Sequence, residues 1–257
     1  MMIRYIPADP AGNLTAIVLS SVAAQDRAKI AAEMMARCPE GFEQVGFADE
    51  TSLTGDLPTL CMMGGEFCGN ATRAFACYAA KVRGRGETRL AISVSGAREP
   101  VPVAVDLRQN RAYAQMPLPY ALEWISVNKQ KIPLVRMEGI DHALLLDAAP
   151  SPEAAERVLA AMPKQDARGV LFVQGGKMTP LVEVAATGTR VWESSCGSGT
   201  VALAWYLAQN LADGMHAFAF DEPGGRLEAR VAMRAGCAAQ IEMGGAVKLG
   251  EEAEIEL

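Results

Sequence analysis

With 257 residues, half of them hydrophobic and 21% charged, the chain has the make-up of one large folded domain or two small ones, with none of the marks of disorder. Its net charge of −6, with Lys and Arg scattered, excludes a nucleic-acid footprint, which needs clustered positive charge. No apolar run approaches the roughly 18–20 residues of a membrane span, so a membrane partner is not expected.

Met1-Met2-Ile3-Arg4-Tyr5 reads straight into a strand without the plan of a signal peptide, and a cytoplasmic protein is the expectation. Gly12-Asn-Leu-Thr-Ala-Ile-Val-Leu19 predicts a further strand, an Ala-rich stretch from Gln25 to Arg37 a surface helix, and Val45-Gly-Phe47 a short buried strand. A second helix is predicted from Ala71 to Val82, apolar on most sides and stopped by Arg83-Gly-Arg-Gly86. The alternating runs Arg89–Val94 and Val101–Val105 read as half-buried strands, and Gln115-Met-Pro-Leu-Pro119 as a joint.

The second half then repeats the first. Gly139–Leu146 lines up with Gly12–Leu19, and a helix from Glu153 to Met162 and a strand at Val170–Phe172 follow in the same order. Cys196-Gly-Ser-Gly-Thr-Val-Ala-Leu-Ala-Trp-Tyr206 matches Cys68-Gly-Asn-Ala-Thr-Arg-Ala-Phe-Ala-Cys-Tyr78 in Cys, Gly, Thr, both Ala and Tyr. A helix from Thr200 to Leu211, stopped at Asp213-Gly214, and a strand over Leu227–Val231 complete it. The reading is an α/β (α+β) fold of two pseudo-symmetric lobes, each a sheet around a central helix. The N-terminal lobe is assigned residues 1–117 and 246–257 and carries Cys68; the C-terminal lobe is assigned 118–245 and carries Cys196.

Six cysteines in a reducing compartment are expected as thiols. Two histidines and no Cys-x-x-Cys make a metal site improbable on composition, and none is assigned. Cys38, Cys61, Cys77 and Cys237 are expected in the core. Cys68 and Cys196 each precede a helix start, where backbone N–H groups and the positive dipole end favour a thiolate and can grip a carboxylate. Two thiols facing one cavity between lobes suit inversion of a stereocentre, one removing an α-proton while the other returns one. Two buried structural thiols on a duplicated scaffold are the bland alternative.

These motifs resemble the diaminopimelate epimerase superfamily, over nearly the whole chain. The likeness lies in Gly12-Asn13, Glu43-Gln44-Val45, Glu66-Phe67-Cys68-Gly69-Asn70, His142, Val191-Trp192-Glu193, Cys196-Gly197-Ser198-Gly199 and Pro223-Gly224-Gly225. Retention of both cysteines implies racemisation or epimerisation without a cofactor. Within the superfamily the sequence is most similar to the histidine racemases of staphylopine-type metallophore biosynthesis, through Gly12–Thr15, Glu43–Phe47, Glu66–Thr72 and Trp192–Thr200. Only Ser194 and Ser195 separate Glu193 from Cys196, where diaminopimelate epimerases carry a longer segment. By approximate alignment Thr59, Ile140, Gly169 and Ser194 stand where that substrate's distal end would need an amide or guanidinium, and a charged group left unpaired is rejected strongly.

The resemblance implies Cys68 and Cys196 as the catalytic bases and Glu43 and Glu193 as acidic partners, Glu43 toward the substrate amine or imidazole. Asn13, Gly69, Asn70, His142, Gly197, Ser198, Gly199 and Thr200 are the expected substrate-binding residues, and Thr72 shares a capping or binding role by symmetry with Thr200. The expected partner is a small amino acid, histidine first, and the expected assembly a monomer or homodimer. A diaminopimelate epimerase, a racemase of another amino acid, and a catalytically silent amino-acid-binding protein are the competing readings.

Overall fold

A computed structural model describes residues 1–185 and 188–257. The chain divides into two compact units, Met1–Gln115 with Gly244–Leu257, and Met116–Met243. The architecture is mixed α/β, as expected from the alternation of strand and helix signals.

In the first unit β1 (Met2–Asp9) pairs antiparallel with β2 (Thr15–Val18). Helix α1 (Arg27–Arg37) carries the chain to β3 (Gln44–Asp49), parallel to β2, with Thr15 opposite Gln44. A helical crossover is what a parallel pair demands. Strand β4 (Thr59–Met62) returns antiparallel, and helix α2 (Gly69–Val82) makes the second crossover, to β5 (Glu87–Val94). Strands β6 (Val101–Asp106) and β7 (Arg111–Gln115) follow as an antiparallel meander.

The second unit opens with β8 (Ala121–Val127) and β9 (Gln130–Arg136), a hairpin turning on Asn128 and Lys129, both at positive φ. From there it follows the order of the first. Strand β10 (Ile140–Leu146), helix α3 (Pro152–Ala161) and parallel β11 (Ala167–Gln174) come first, with His142 opposite Gly169. Antiparallel β12 (Lys177–Val184), an added edge strand β13 (Thr189–Trp192), helix α4 (Gly197–Ala208) and β14 (Gly214–Glu222) follow. Strands β15 (Gly225–Arg234) and β16 (Cys237–Ala246) close the meander, and β17 (Lys248–Leu249) and β18 (Ala253–Glu256) pair antiparallel with β1. Residues 248–256 thus return to the first strand.

Helix α2 is the axis of the first unit, every residue from Gly69 to Ala80 being buried. The alanines at 71, 74, 76, 79 and 80 keep it slim enough to be packed all round, and Phe75 fills the space toward Leu60, Ile92 and Val103. Arg73 is wholly buried with them. It donates to the carbonyls of Pro10, Ala112 and Gly245 and to Asn70 Oδ1, tying the returning chain to the helix. Helix α4 buries Gly199–Ala204 in the same manner but leaves Leu207 exposed. Cys38 and Cys77 lie in the core as expected and Cys61 is half-buried. Cys237 departs from expectation: it opens β16 on an exposed position after a turn.

The loop that delivers Cys68 to α2 is pinned from β5's end. Ser95 Oγ accepts from Met62 N–H at 2.8 Å and donates to Glu66 O at 2.9 Å. Gly96, at φ +74°, lies flat against the Glu66–Phe67 backbone, where a Cβ would collide. Gly96→Ala is expected to cost about 1–3 kcal/mol through overpacking and left-handed strain, read as a lower denaturant midpoint with unchanged m-value.

Candidate active site

Both catalytic candidates are N-cap residues with extended backbone, Cys68 at φ −128°, ψ 113° and Cys196 at φ −119°, ψ 100°. The duplicated geometry continues one turn on: Thr72 N–H donates to Cys68 O at 3.0 Å and Thr200 N–H to Cys196 O at 2.9 Å. First-turn N–H groups, here those of Gly69 and of Gly197, Ser198 and Gly199, have no intrahelical acceptor and are natural donors to a carboxylate.

Around Cys68 the partners are amides. Its Sγ accepts from Ala71 N–H at 3.4 Å and its S–H donates to Gln44 Oε1 at 3.1 Å. Gln44 Nε2 donates to Asn13 Oδ1 at 2.6 Å and to Thr15 Oγ1 at 2.7 Å. Asn13 Nδ2 donates to Glu43 at 2.9 Å, and Asn70 Nδ2 lies 3.3 Å from Asn13 Oδ1. Asn13, Glu43, Asn70 and Gly69 therefore cluster with Cys68, but Glu43 faces Asn13. Gln44, only 8% exposed, was not singled out as a site residue; the available signal was a polar side chain between Phe42 and Val45 at an inward strand position.

Around Cys196 the partners are acidic. The Glu193 carboxylate stands beside the thiol as a hydrogen-bond partner. Glu222, at the end of β14, accepts from Cys196 N–H at 2.6 Å and from Thr200 Oγ1 at 2.6 Å, fastening a carboxylate to the positive end of α4. Glu222 too went unnoticed in the sequence, although it immediately precedes Pro223-Gly224-Gly225. Thr72 differs from its counterpart, its hydroxyl donating to Cys68 O at 2.7 Å. Ser198 Oγ lies 3.5 Å from Cys196 Sγ and 2.9 Å from Nε2 of His142. Gly197 sits under Met243 and Gly199 against Leu171.

His142 and Gly169 are paired across β10 and β11 as Thr15 and Gln44 are across β2 and β3. In the first unit the side chain reaching the cysteine comes from the second strand of the pair. In the second unit that position is glycine, and the histidine ring from the first strand occupies the space; a Cβ on Gly169 would collide with Nδ1.

The electrostatics correct one expectation. Burial pushes the Cys68 thiol up from its ordinary 9.0, with hydrogen bonds from Ala71 N–H, from Gln44 where its amide nitrogen turns to the sulfur, and from Asn70 N–H acting only in partial opposition. Here the Gln44 carbonyl oxygen is the atom that faces the sulfur. Cys196 is raised well above 9.0 by burial and then by the charges of Glu193 and Glu222. Lost hydration at both sulfurs, and the carboxylates beside Cys196, favour the protonated thiol against the pull of the helix starts. Burial lowers His142 to about 3, so the ring is neutral over the physiological range. Asp141 beside it is wholly buried and ion-paired with Arg136 at 2.9 Å.

A family model for the histidine racemase CntK N-terminal domain matches residues 2–255. The chain belongs to the histidine racemase family. It is similar to a histidine racemase of Fusobacterium nucleatum subsp. nucleatum, 32% identical over 222 residues, which are 80% of this chain and 81% of the relative. The fold is shared with a phenazine biosynthesis PhzF family protein from Enterococcus faecalis (TM-score 0.68, 17% identity, 100% of both chains). It is shared as well with a probable proline racemase from Agrobacterium radiobacter (TM-score 0.67, 14% identity, 99% of this chain and 93% of the other). The protein is thus an amino-acid racemase, an isomerase.

Neutral His142 has a consequence for stability. Its folded pKa near 3 lies below the unfolded value near 6.5, so the unfolded chain binds the extra proton between them. Stability from this residue is complete above about pH 6.5 and is lost as pH falls toward 3, by up to about 1.4 kcal/mol per pH unit. His142→Gln is expected to flatten the unfolding free energy over that window in paired denaturation series; an unchanged slope contradicts it.

Proposed function

We propose that this racemase interconverts L- and D-histidine, with Cys68 and Cys196 as the two proton carriers on opposite faces of one α-carbon and no cofactor. The observation that carries the reading is the repeated N-cap geometry: in each half of the duplicated chain one thiol stands at a helix start rich in N–H donors. Histidine as substrate is supported by the family and by the likeness to the histidine racemase of Fusobacterium nucleatum. A role supplying opine-type metallophore synthesis rests on the sequence resemblance described above.

In this scheme the substrate carboxylate lies on first-turn N–H groups, which strengthen their hold as carbanion charge spreads onto it. The substrate ammonium offsets the carboxylates around Cys196 and lowers the cost of forming a thiolate there. Glu193 takes the Cys196 proton, the thiolate takes the α-proton, and Cys68 returns a proton to the other face; for the opposite enantiomer the sequence reverses. At the positions implied by alignment to bind a distal charge, Gly169 is covered by the His142 ring, in keeping with a substrate other than diaminopimelate.

The test is incubation of L-histidine with enzyme in deuterated water without pyridoxal phosphate. Growth of α-deuterated histidine and decay of optical rotation are expected. Cys68→Ser and Cys196→Ser are each expected to lower the racemisation rate by roughly 10²–10⁴-fold, the range for a lost acid–base group. Absence of exchange in the wild type, or full activity in either variant, contradicts the proposal. Faster turnover of diaminopimelate than of histidine contradicts the substrate.

A further inference from the structure

The amide network beneath Cys68 has a direction, and its ends determine it. A guanidinium can only donate and a carboxylate can only accept. At one end Arg73 Nη2 donates to Asn70 Oδ1 at 2.8 Å, leaving the Asn70 amide nitrogen for its other neighbour. At the other end Glu43 takes a proton from Asn13 Nδ2 at 2.9 Å, which turns Asn13 Oδ1 inward as an acceptor. That oxygen receives Gln44 Nε2 at 2.6 Å and faces Asn70 Nδ2 at 3.3 Å. Thr15 Oγ1 adds a second acceptor for Gln44 Nε2 at 2.7 Å, its own proton being given to Asn13 O at 2.9 Å. With its nitrogen thus committed twice, Gln44 presents its carbonyl oxygen to Cys68 Sγ at 3.1 Å.

We infer that Gln44 is a positioning residue that holds the proton of Cys68, so that this cysteine stands ready as the acid for the enantiomer whose α-hydrogen faces Cys196. The inference rests on the two-cysteine reading and adds to it the residue that readies Cys68 as the acid. When Cys68 acts, its S–H bond breaks, the proton passes to the α-carbon and the electron pair stays on sulfur. A carbonyl oxygen facing that sulfur favours the state in which the proton is present. Gln44 thereby aids reprotonation in the next cycle. In the second unit Gly169 stands in the place of Gln44, and an acceptor beside Cys196 is the Glu193 carboxylate, a group able to carry the proton away.

Infrared difference spectroscopy on the full chain tests this. The S–H stretching band of Cys68, isolated as wild type minus Cys68→Ser at neutral pH, is expected at lower frequency than a thiol without an acceptor. Gln44→Leu is expected to move the band up, and Gln44→Glu, a stronger acceptor of the same shape, to move it down. Gln44→Leu should also lower kcat by about tenfold with a much smaller change in KM. Should Gln44→Leu fail to fold, the Gln44→Glu shift decides alone. A band absent from the wild type, or unmoved in the folded variants, overturns the assignment. Wild-type enzyme that leaves the α-proton of histidine unexchanged removes the racemase mechanism instead, a separate readout from the position of the band.

Discussion

A thiol at the start of a buried helix is subject to opposing forces, and the chemistry proposed for this protein depends on how they balance. The N–H groups and dipole of α2 and α4 favour negative sulfur; burial and neighbouring acceptors favour the proton. Burial foremost raises both thiols, and the charges of Glu193 and Glu222 raise Cys196 further. In the proposed mechanism the helix starts are receptors for the substrate carboxylate, and thiolate forms only once a substrate ammonium supplies positive charge nearby. That mechanism would keep the reactive sulfur masked until the substrate arrives, which also limits oxidation of the resting thiols.

Duplication provides the scaffold and divergence provides the roles. Both units present the same order of strands and helices, with equivalent parallel pairs feeding equivalent helices. Yet the cross-strand pair below each cysteine has exchanged its bulk, Thr15 with Gln44 in one unit and His142 with Gly169 in the other. One sulfur consequently meets a neutral amide network and the other meets two carboxylates and a serine hydroxyl. A backbone that repeats need not give two equivalent acids.

The sequence made the repeat visible because Cys-Gly followed by an Ala-rich apolar run is rare enough to register twice, and because helix α2 had to be apolar all round to sit inside its unit. The helix at 25–37 proved to be a short 3-10 turn, Ala24–Asp26, followed by α1, and strands expected at 45–47 and 170–172 extend to 44–49 and 167–174. The hairpin at 121–136 went unread because its turn, Asn128-Lys129, lacks the glycine that usually marks such a bend. Gln44 and Glu222 were hidden for a deeper reason: each reaches its cysteine through strand pairing or strand termination that no local pattern records. Glu43 was legible as an acidic residue near the site, but its partner, Asn13, lies thirty residues away in the loop between β1 and β2.

The central claim is that both sulfurs rest protonated. It is tested most directly by titrating the thiolate ultraviolet absorbance of the wild type against Cys68→Ser and Cys196→Ser, so that each difference isolates one residue. The account predicts midpoints above the ordinary thiol value of 9.0 for both. A midpoint at or below 9.0 for either cysteine in the unliganded enzyme contradicts it.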